Sequence, residues 1–416
     1  METTADKSLE TAITSRYGLL KNTERDILKK AFDFQSVDLL KSLRCYPYYQ
    51  TIDQNEGPEA IINGEKVIMM GSNNYLGLTI HPEVRQAAMD AIQHYGTSLT
   101  GSRLLNGTHQ LHIDLEKELA AFLGKEAALV FTTGYQANLG VISALIGEND
   151  YLILDKFNHA SITDGAALSK GKTIYYPHND MQALEKILQE LPADAGKMIM
   201  MDGVFSMEGD LCNLPAIVEL AEKYGARVTV DDAHATGVIG YAGRGTADHF
   251  GLTDKVDLIV GTFSKSLASV GGFVAGDAKV IDFIRHFGRS VLFSASLPPA
   301  SAAAALKALQ IMAKEPERVE RLSNNASYMR EKLVDLGFNI GHTVTPIVPI
   351  IVGNDMLALR LWRELLDAGI YVNSVIYPAV AKNQALLRTS YTSEHTQEHL
   401  DKALQILTAF KAKHNF

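Results

Sequence analysis

Between residues 127 and 230 the chain alternates short apolar runs with amphipathic segments, a pattern that few folds satisfy. Ala127–Phe131, Tyr151–Leu154, Thr173–Tyr176, Met198–Met201 and Arg227–Val230 read as strands. Tyr135–Ile146, Ser161–Ser169, Met181–Leu191 and Pro215–Tyr224 read as the helices between them. Strands this rich in Val, Ile, Leu and Met are covered on both faces, and a helix after each strand carries the chain back to start the next in the same direction. The expected class is therefore α/β, with a mostly parallel central sheet. In such sheets, ligands and catalytic groups collect beyond the C-terminal ends of the strands.

The flanks supply the rest. His81-Pro82-Glu83 starts a helix with proline in its first turn; Val84, Ala88, Ala91, Ile92 and Tyr95 share a face, and Gly96 ends it. A helix from Ile113 to Leu123 closes at Gly124. Pro298-Pro299 opens an alanine-rich helix to Lys314. A smaller α+β unit follows, with helix 317–335, a strand near Ile347–Val352, helix 356–368 and a last helix 396–413. The division expected is a helical arm over 1–57, a large domain over 58–300 and a C-terminal small domain over 301–416.

Composition narrows the function. The net charge of −9 and the lack of a long basic run argue against a nucleic-acid surface. Two cysteines, Cys45 and Cys212, make no disulfide framework and suit a reducing compartment. METTADKSLE is too polar for a signal peptide, and no apolar run reaches the length that spans a bilayer. The expectation is a cytoplasmic protein, with peripheral membrane contact left open.

Lys265 carries most of the chemical information. It stands in GTFSKSLASVGGFVAG, between apolar runs 256–260 and 273–275, with Thr262, Ser264 and Ser266 as hydroxyl neighbours. A lysine between buried strands is placed to bind a carbonyl covalently, and the hydroxyls to hold a phosphate. Asp231 ends an earlier strand in RVTVDDAHATGVIG, with His234 three residues on. A buried carboxylate needs a cationic partner, and a protonated pyridine nitrogen is one. Lysine and aspartate together are what pyridoxal phosphate requires. Gly134-Tyr135 opens a helix after a strand, where backbone N–H groups and the helix dipole attract phosphate. His159, in DKFNHASITDG, is placed to stack on a flat ring or to cap the helix that follows. Two other patterns carry less. Gly237-x-x-Gly240-x-x-Gly243-x-Gly245 follows no strand and has the wrong spacing for a nicotinamide dinucleotide. His109-x-x-His112 with Glu116 matches no zinc spacing and reads as a helix entry; no metal site is expected.

Five ordered motifs, GSNNYLGL, DKFNHASITDG, DGVFSMEGD, VDDAHATGVIG and GTFSKSLASVGGFVAG, together resemble the α-oxoamine synthases. These are fold-type I, aminotransferase-like pyridoxal-phosphate enzymes that condense an amino acid with an acyl-CoA and lose CO₂. The likeness runs from about residue 45 to 410. Phe263-Ser264-Lys265-Ser266, followed by Ser269-x-Gly271-Gly272-Phe273, is most similar to the bacterial members that use L-serine and palmitoyl-CoA, the first step of sphingolipid synthesis. The resemblance implies Lys265 as the cofactor lysine, Asp231 on the pyridine nitrogen, His234 on the phenolic oxygen and His159 over the ring. It implies that Gly134, Tyr135, Thr262 and Ser264 hold the cofactor, that Ser294 and Ala295 reach the phosphate of a partner subunit in a homodimer, and that Asn74 and Arg388 bind the substrate carboxylate. The chain departs from the serine-using pattern at Ile376-Tyr377-Pro378-Ala379-Val380, where some members carry Arg-Pro-Pro-Ala-Thr-Pro. The alternative is a member using glycine or alanine with a shorter acyl thioester, of the 8-amino-7-oxononanoate synthase or 2-amino-3-ketobutyrate ligase type.

Overall fold

The computed structural model describes residues 26–414 and 416. The first half of the expected N-terminal arm, residues 1–25, lies outside the described residues. Its second half holds two short helices, Lys29–Phe32 and Ser36–Ser42. Leu40 and Cys45 pack there against Ala358, Leu359, Ile376 and Ala385 near the other end of the chain.

Three strands come first: β1 (Gln54–Asn55), β2 (Glu59–Ile62) and β3 (Glu65–Met69). The central sheet follows with β4 (Ala127–Phe131), β5 (Tyr151–Asp155), β6 (Lys172–Tyr176), β7 (Lys197–Asp202), β8 (Arg227–Asp231), β9 (Leu258–Thr262) and β10 (Gly272–Gly276). Its order is β4-β10-β9-β8-β7-β5-β6. β5 to β9 run parallel, whereas β10 is antiparallel to both β9 and β4. The reversal follows from the connection: residues 263–271 form a loop with no crossover helix, so β10 can only turn back.

Strand alternation sorts the core. Ala128, Val130, Ile153, Ile199 and Met201 face one side, with the helices Gln110–Leu123, Met181–Glu190, Leu214–Tyr224 and Pro299–Lys314. Leu129, Phe131, Leu152, Leu154, Met198 and Met200 face the other, with Gly134–Leu145, Ala160–Leu168 and Ala278–Phe287. The helix Pro299–Lys314 thus packs against the helices Pro82–Tyr95 and Gln110–Leu123 in the core of the large domain, although in sequence it opens the segment expected to form the small domain.

The second core joins distant segments. β11 (Ile347–Gly353), β12 (Ile370–Tyr371), β13 (Asn373–Val375) and β14 (Ala385–Ser390) pack with helices Glu317–Asp335, Asp355–Asp367 and Gln397–His414 around the fully buried Trp362. β12 pairs parallel with β3, so residues 60–70 share this core rather than that of the large sheet. Among the described residues, no helix is long and apolar enough to cross a membrane.

Candidate active site

The strand C-terminal ends open on a cavity of about 290 Å³. Thr133 and Gly134 reach it after β4, His159 after β5, Asp202 from β7, Asp231 and His234 from β8, and Thr262, Ser264 and Lys265 from β9. Eight residues expected from sequence thus meet here: Gly134, Tyr135, His159, Asp231, His234, Thr262, Ser264 and Lys265.

Local bonding explains why Lys265 is held there. Phe263 N–H donates to Gly271 O (2.9 Å) and Ser269 N–H to Phe263 O (2.9 Å), while the Phe263 ring stacks on Phe273. The loop is pinned at its base and presents Lys265 to the cavity. Burial lowers the Lys265 pKa, as does the nearby Arg388; Asp231 and Asp202 oppose this, and the balance is about 8. Thr262 Oγ1 lies 2.8 Å from Ser264 Oγ, pairing two of the expected hydroxyls. The third, Ser266, is buried against Gly237 and does not line the cavity.

Asp231 is fixed by two donors, Asn138 Nδ2 (2.7 Å) and Ala233 N–H (2.9 Å). Asn138 Nδ2 also reaches Ser161 Oγ (2.8 Å), which lies 2.7 Å from His159 Nδ1. A polar chain therefore links His159 to Asp231. Burial lowers the His159 pKa, with Lys265 adding to the effect against Asp231 and Asp164, so its ring is neutral at neutral pH. His234 is also driven low, first by burial and then by Lys265, Arg388 and His159. Its Nδ1 lies 2.8 Å from Tyr75 Oη.

Asp202, not singled out from sequence, shares this cavity. It is the register partner of Asp231 and accepts the His159 N–H (3.3 Å). Burial and Asp231 raise its pKa strongly, so it favours the neutral acid. Asn138, Ser161 and Tyr75 were missed as well. Asp202, Ser161 and Tyr75 stood inside quoted motifs, DGVFSMEGD, DKFNHASITDG and GSNNYLGL, but no spacing singled them out there; Asn138 stands in none, a polar residue among apolar helix neighbours.

The other four expected residues lie off this cavity. Arg388, on β14, is buried and donates only to neutral acceptors: Ser206 O (2.5 Å), Ser390 Oγ (3.0 Å) and Asn73 Oδ1 (3.1 Å). It also meets Tyr75, which ties it to His234. The asparagine beside it is Asn73; Asn74 Nδ2 bonds Thr79 Oγ1 (2.8 Å) instead, leaving its Oδ1 buried without a partner. Successive residues in this turn point apart, so neighbours in sequence part company. Ser294 Oγ accepts from Gln136 Nε2 (3.2 Å), and Ala295 O accepts from Thr132 Oγ1 (2.9 Å), on the rim near the start of helix Gly134–Leu145.

His109 and His112 stack on each other, and His112 Nε2 lies 2.8 Å from Leu297 O. Glu116 pairs with Arg103 and accepts the Val130 N–H. The glycines of 237–245 all take positive φ, and two of them face backbone so closely that no side chain fits. The loop at Ile376–Val380 lines a second cavity of about 680 Å³ together with Phe157, His178 and Met207.

The family model for class I and II aminotransferases matches residues 65–407. The chain belongs to this family. It is 52% identical to the serine palmitoyltransferase of Sphingobacterium spiritivorum over 89% of this chain and 93% of that one. It is 44% identical to the 8-amino-7-oxononanoate synthase of Thermoanaerobacter pseudethanolicus over 89% and 94%. Among solved structures, a serine palmitoyltransferase from S. paucimobilis with a bound PLP–myriocin aldimine superposes with a TM-score of 0.91 at 37% identity, covering 94% of this chain and 99% of that one. The fold is that of fold-type I aminotransferases, and the chain is a pyridoxal-phosphate-dependent acyltransferase of the α-oxoamine synthase type.

The cavity fits that cofactor. A Cβ on Gly134 would lie 2.8 Å from Thr262 Cβ, so only glycine lets the helix start close on the Thr262–Ser264 hydroxyls. This cradle joins first-turn N–H groups to two hydroxyls, a donor set for phosphate. The same cavity holds the Asp231 carboxylate and, from Lys265, an amine of lowered pKa.

Proposed function

We propose that the chain condenses L-serine with palmitoyl-CoA, releasing CO₂ and CoA and forming 3-oxosphinganine, the serine palmitoyltransferase reaction. The observation that carries this reading is Arg388, a buried guanidinium satisfied only by neutral acceptors and close enough to depress the Lys265 amine. A buried cation of this kind is stabilised by an incoming anion, and the carboxylate of an amino acid is that anion. Similarity to serine palmitoyltransferases over nearly the whole chain supports serine as the amino acid.

Bound pyridoxal phosphate supplies an electron sink for bonds broken at the amino acid Cα. The Gly134–Tyr135 helix start, Thr262 and Ser264 hold its phosphate. Asp231, locked by Asn138 and the Ala233 N–H, would hold the ring nitrogen in its protonated form. His159, neutral and capping its helix through Nδ1, would stack on the ring. The Arg388 guanidinium can only donate to Tyr75 Oη, which frees the phenol proton for His234 Nδ1 and leaves the His234 proton on Nε2, from which it would donate to the cofactor's phenolic oxygen. Lys265 Nζ, neutral above about pH 8, takes the proton from the serine Cα. Arg388 binds the carboxylate until CO₂ leaves, with Asn73 beside it; Asn74, on the same turn, would donate to that carboxylate through the second proton of its Nδ2, since its Oδ1 can only accept.

The enzyme works in the cytoplasm as a homodimer in which Ser294 and Ala295 complete the partner subunit's phosphate site. Titrating the holoenzyme with L-serine, glycine and L-alanine while following the cofactor's visible absorption tests the reading. A saturable change with serine, and 3-oxosphinganine once palmitoyl-CoA is added, is the expected result; a response to glycine or alanine alone overturns it.

A further inference from the structure

His178 lies outside the cavity of Lys265, on the wall of the second one, and touches no residue given a role above. Its two ring nitrogens face two carboxylates: Nδ1 is 3.1 Å from Asp155 Oδ1, and Nε2 is 2.9 Å from Asp210 Oδ2. A neutral imidazole would set a bare nitrogen lone pair against one of them, so this geometry requires the doubly protonated ring. Phe157 stacks on it at 4.4 Å between ring centres, and Phe205 meets it edge-on at 4.4 Å.

Each carboxylate belongs to a different wall of the active site. Asp155 ends β5 and accepts the Phe157 N–H (2.8 Å), shaping the turn that delivers His159 two residues later. Asp210 closes the turn after β7, where Phe205 N–H donates to Asp210 O (3.1 Å). The next residue after Phe205 is Ser206, whose carbonyl receives Arg388 Nε. We propose that His178 is a positioning residue for the amino-acid substrate, a cationic clasp between the turn that presents His159 and the turn that holds Arg388. The proposal rests on the reading of Arg388 as the carboxylate-binding residue.

Burial alone would lower the pKa of His178, but hydrogen bonds to Asp155 and Asp210 outweigh it and bring it to about 9. Glu208 also faces the ring, and Lys156 and His342 line the same cavity. Because the folded pKa lies above the ordinary value of 6.5, the stabilisation from the clasp is fully present below about pH 6.5, and the clasp itself is lost as pH rises through about 9.

Serine affinity of the holoenzyme, read from the cofactor's absorption between pH 6 and 10, tests the clasp alongside cofactor retention and thermal stability. His178→Gln should weaken serine binding by about tenfold or more while the cofactor stays bound. Asp210→Asn leaves Asp155 in place but removes one anion, so the alkaline loss of serine affinity should move to lower pH. In His178→Gln that alkaline limb should be absent, and adding Asp210→Asn should change nothing further. If His178→Gln does not fold, the Asp210→Asn profile decides, and an unmoved limb overturns the proposal. So does wild-type serine affinity in His178→Gln. Arg388→Lys separates the two readings: if it binds serine normally, the role of Arg388 fails; if it binds serine poorly while His178→Gln does not, only the clasp fails.

Discussion

At the scale of single residues, the site is a set of proton affinities held away from their solution values by burial. Lys265 is the clearest case, because an ammonium in that cavity loses more hydration than Asp231 and Asp202 return. The sign is definite: its pKa lies below 10.5, so the neutral amine becomes the major form above about pH 8. Cofactor-free protein should therefore take up pyridoxal phosphate at a rate that climbs through about pH 8, whereas an ordinary lysine would climb only through about pH 10.5. Stopped-flow reconstitution across pH 6–10 measures this, and a rate still rising steeply at pH 10 would contradict it. Lys265→Ala should lower turnover by at least about 10²–10⁴-fold, the range for loss of a general base, without changing the far-ultraviolet circular dichroism. Sequence made Lys265 and Asp231 legible because each breaks an apolar strand end with a charge. Asp202 carries the same mark at the end of β7, but its neighbours Gly203 and Val204 make the segment read as a plain turn. Arg388 was legible only through family resemblance, since the segment ALLRTS reads as half polar and its burial comes from the strands on either side and from the distant turns that hold Asn73 and Ser206.

At the scale of elements, the cavity depends on how closely β9, β10 and the helix Gly134–Leu145 approach. The alternation of strands and helices in the sequence dictated five parallel strands with covered faces, and strand-end placement of the site followed from it. The reversal of β10 was not legible, because it depends on a loop pinned by Phe263 and Gly271 rather than on any periodicity. The short strands β1, β2, β3 and β12 were also illegible; two to five residues each, β1 to β3 pair locally as an antiparallel meander, and only the pairing of Ile370 with Ile68 across the chain ties them into a sheet with β12. Glycines make the close approach possible, and two of them give contrasting outcomes. A Cβ on Gly272 would meet backbone atoms of Gly134 at 2.5 Å, whereas a Cβ on Gly134 would meet a side chain, Thr262, at 2.8 Å. Backbone cannot swing aside, so Gly272→Ala should destabilise the fold by about 1–3 kcal/mol and pull the helix start off the cradle. Gly134→Ala should unfold at a higher temperature than Gly272→Ala, yet bind the cofactor more weakly than wild type because Thr262 must turn away. Thermal melts paired with cofactor titration distinguish the two; equal melting temperatures would show that the helix start has more room than the contacts imply.

At the scale of the whole molecule, the rim beside the cradle is too apolar to face water alone. Leu105 is 77% exposed and Phe293 75%, and the hydrogen bond from Ser296 N–H to Gly101 O draws their segments together. An apolar rim of this kind beside a catalytic cavity calls for a covering surface, and the proposed homodimer would provide one, a second copy presenting the same segments by two-fold symmetry. Ser294 bonds Gln136 of its own chain while exposed Ala295 points outward, so within one chain neither reaches the cavity. Their use to a partner subunit can be read out by complementation. Lys265→Ala protomers lack the amine, and Ser294→Asp protomers would set a carboxylate against a neighbour's phosphate; each homodimer should be nearly inactive. Mixing the two after dissociation gives heterodimers in which one site has Lys265 from one chain and an intact Ser294 from the other. If the segment acts across the interface, random reassociation should restore roughly a quarter of wild-type sites. If Ser294 acts within its own chain, that same site carries both its own Lys265 and its own Asp, and mixing restores nothing. Activity regained in proportion to heterodimer formed, measured by native mass spectrometry, separates these outcomes.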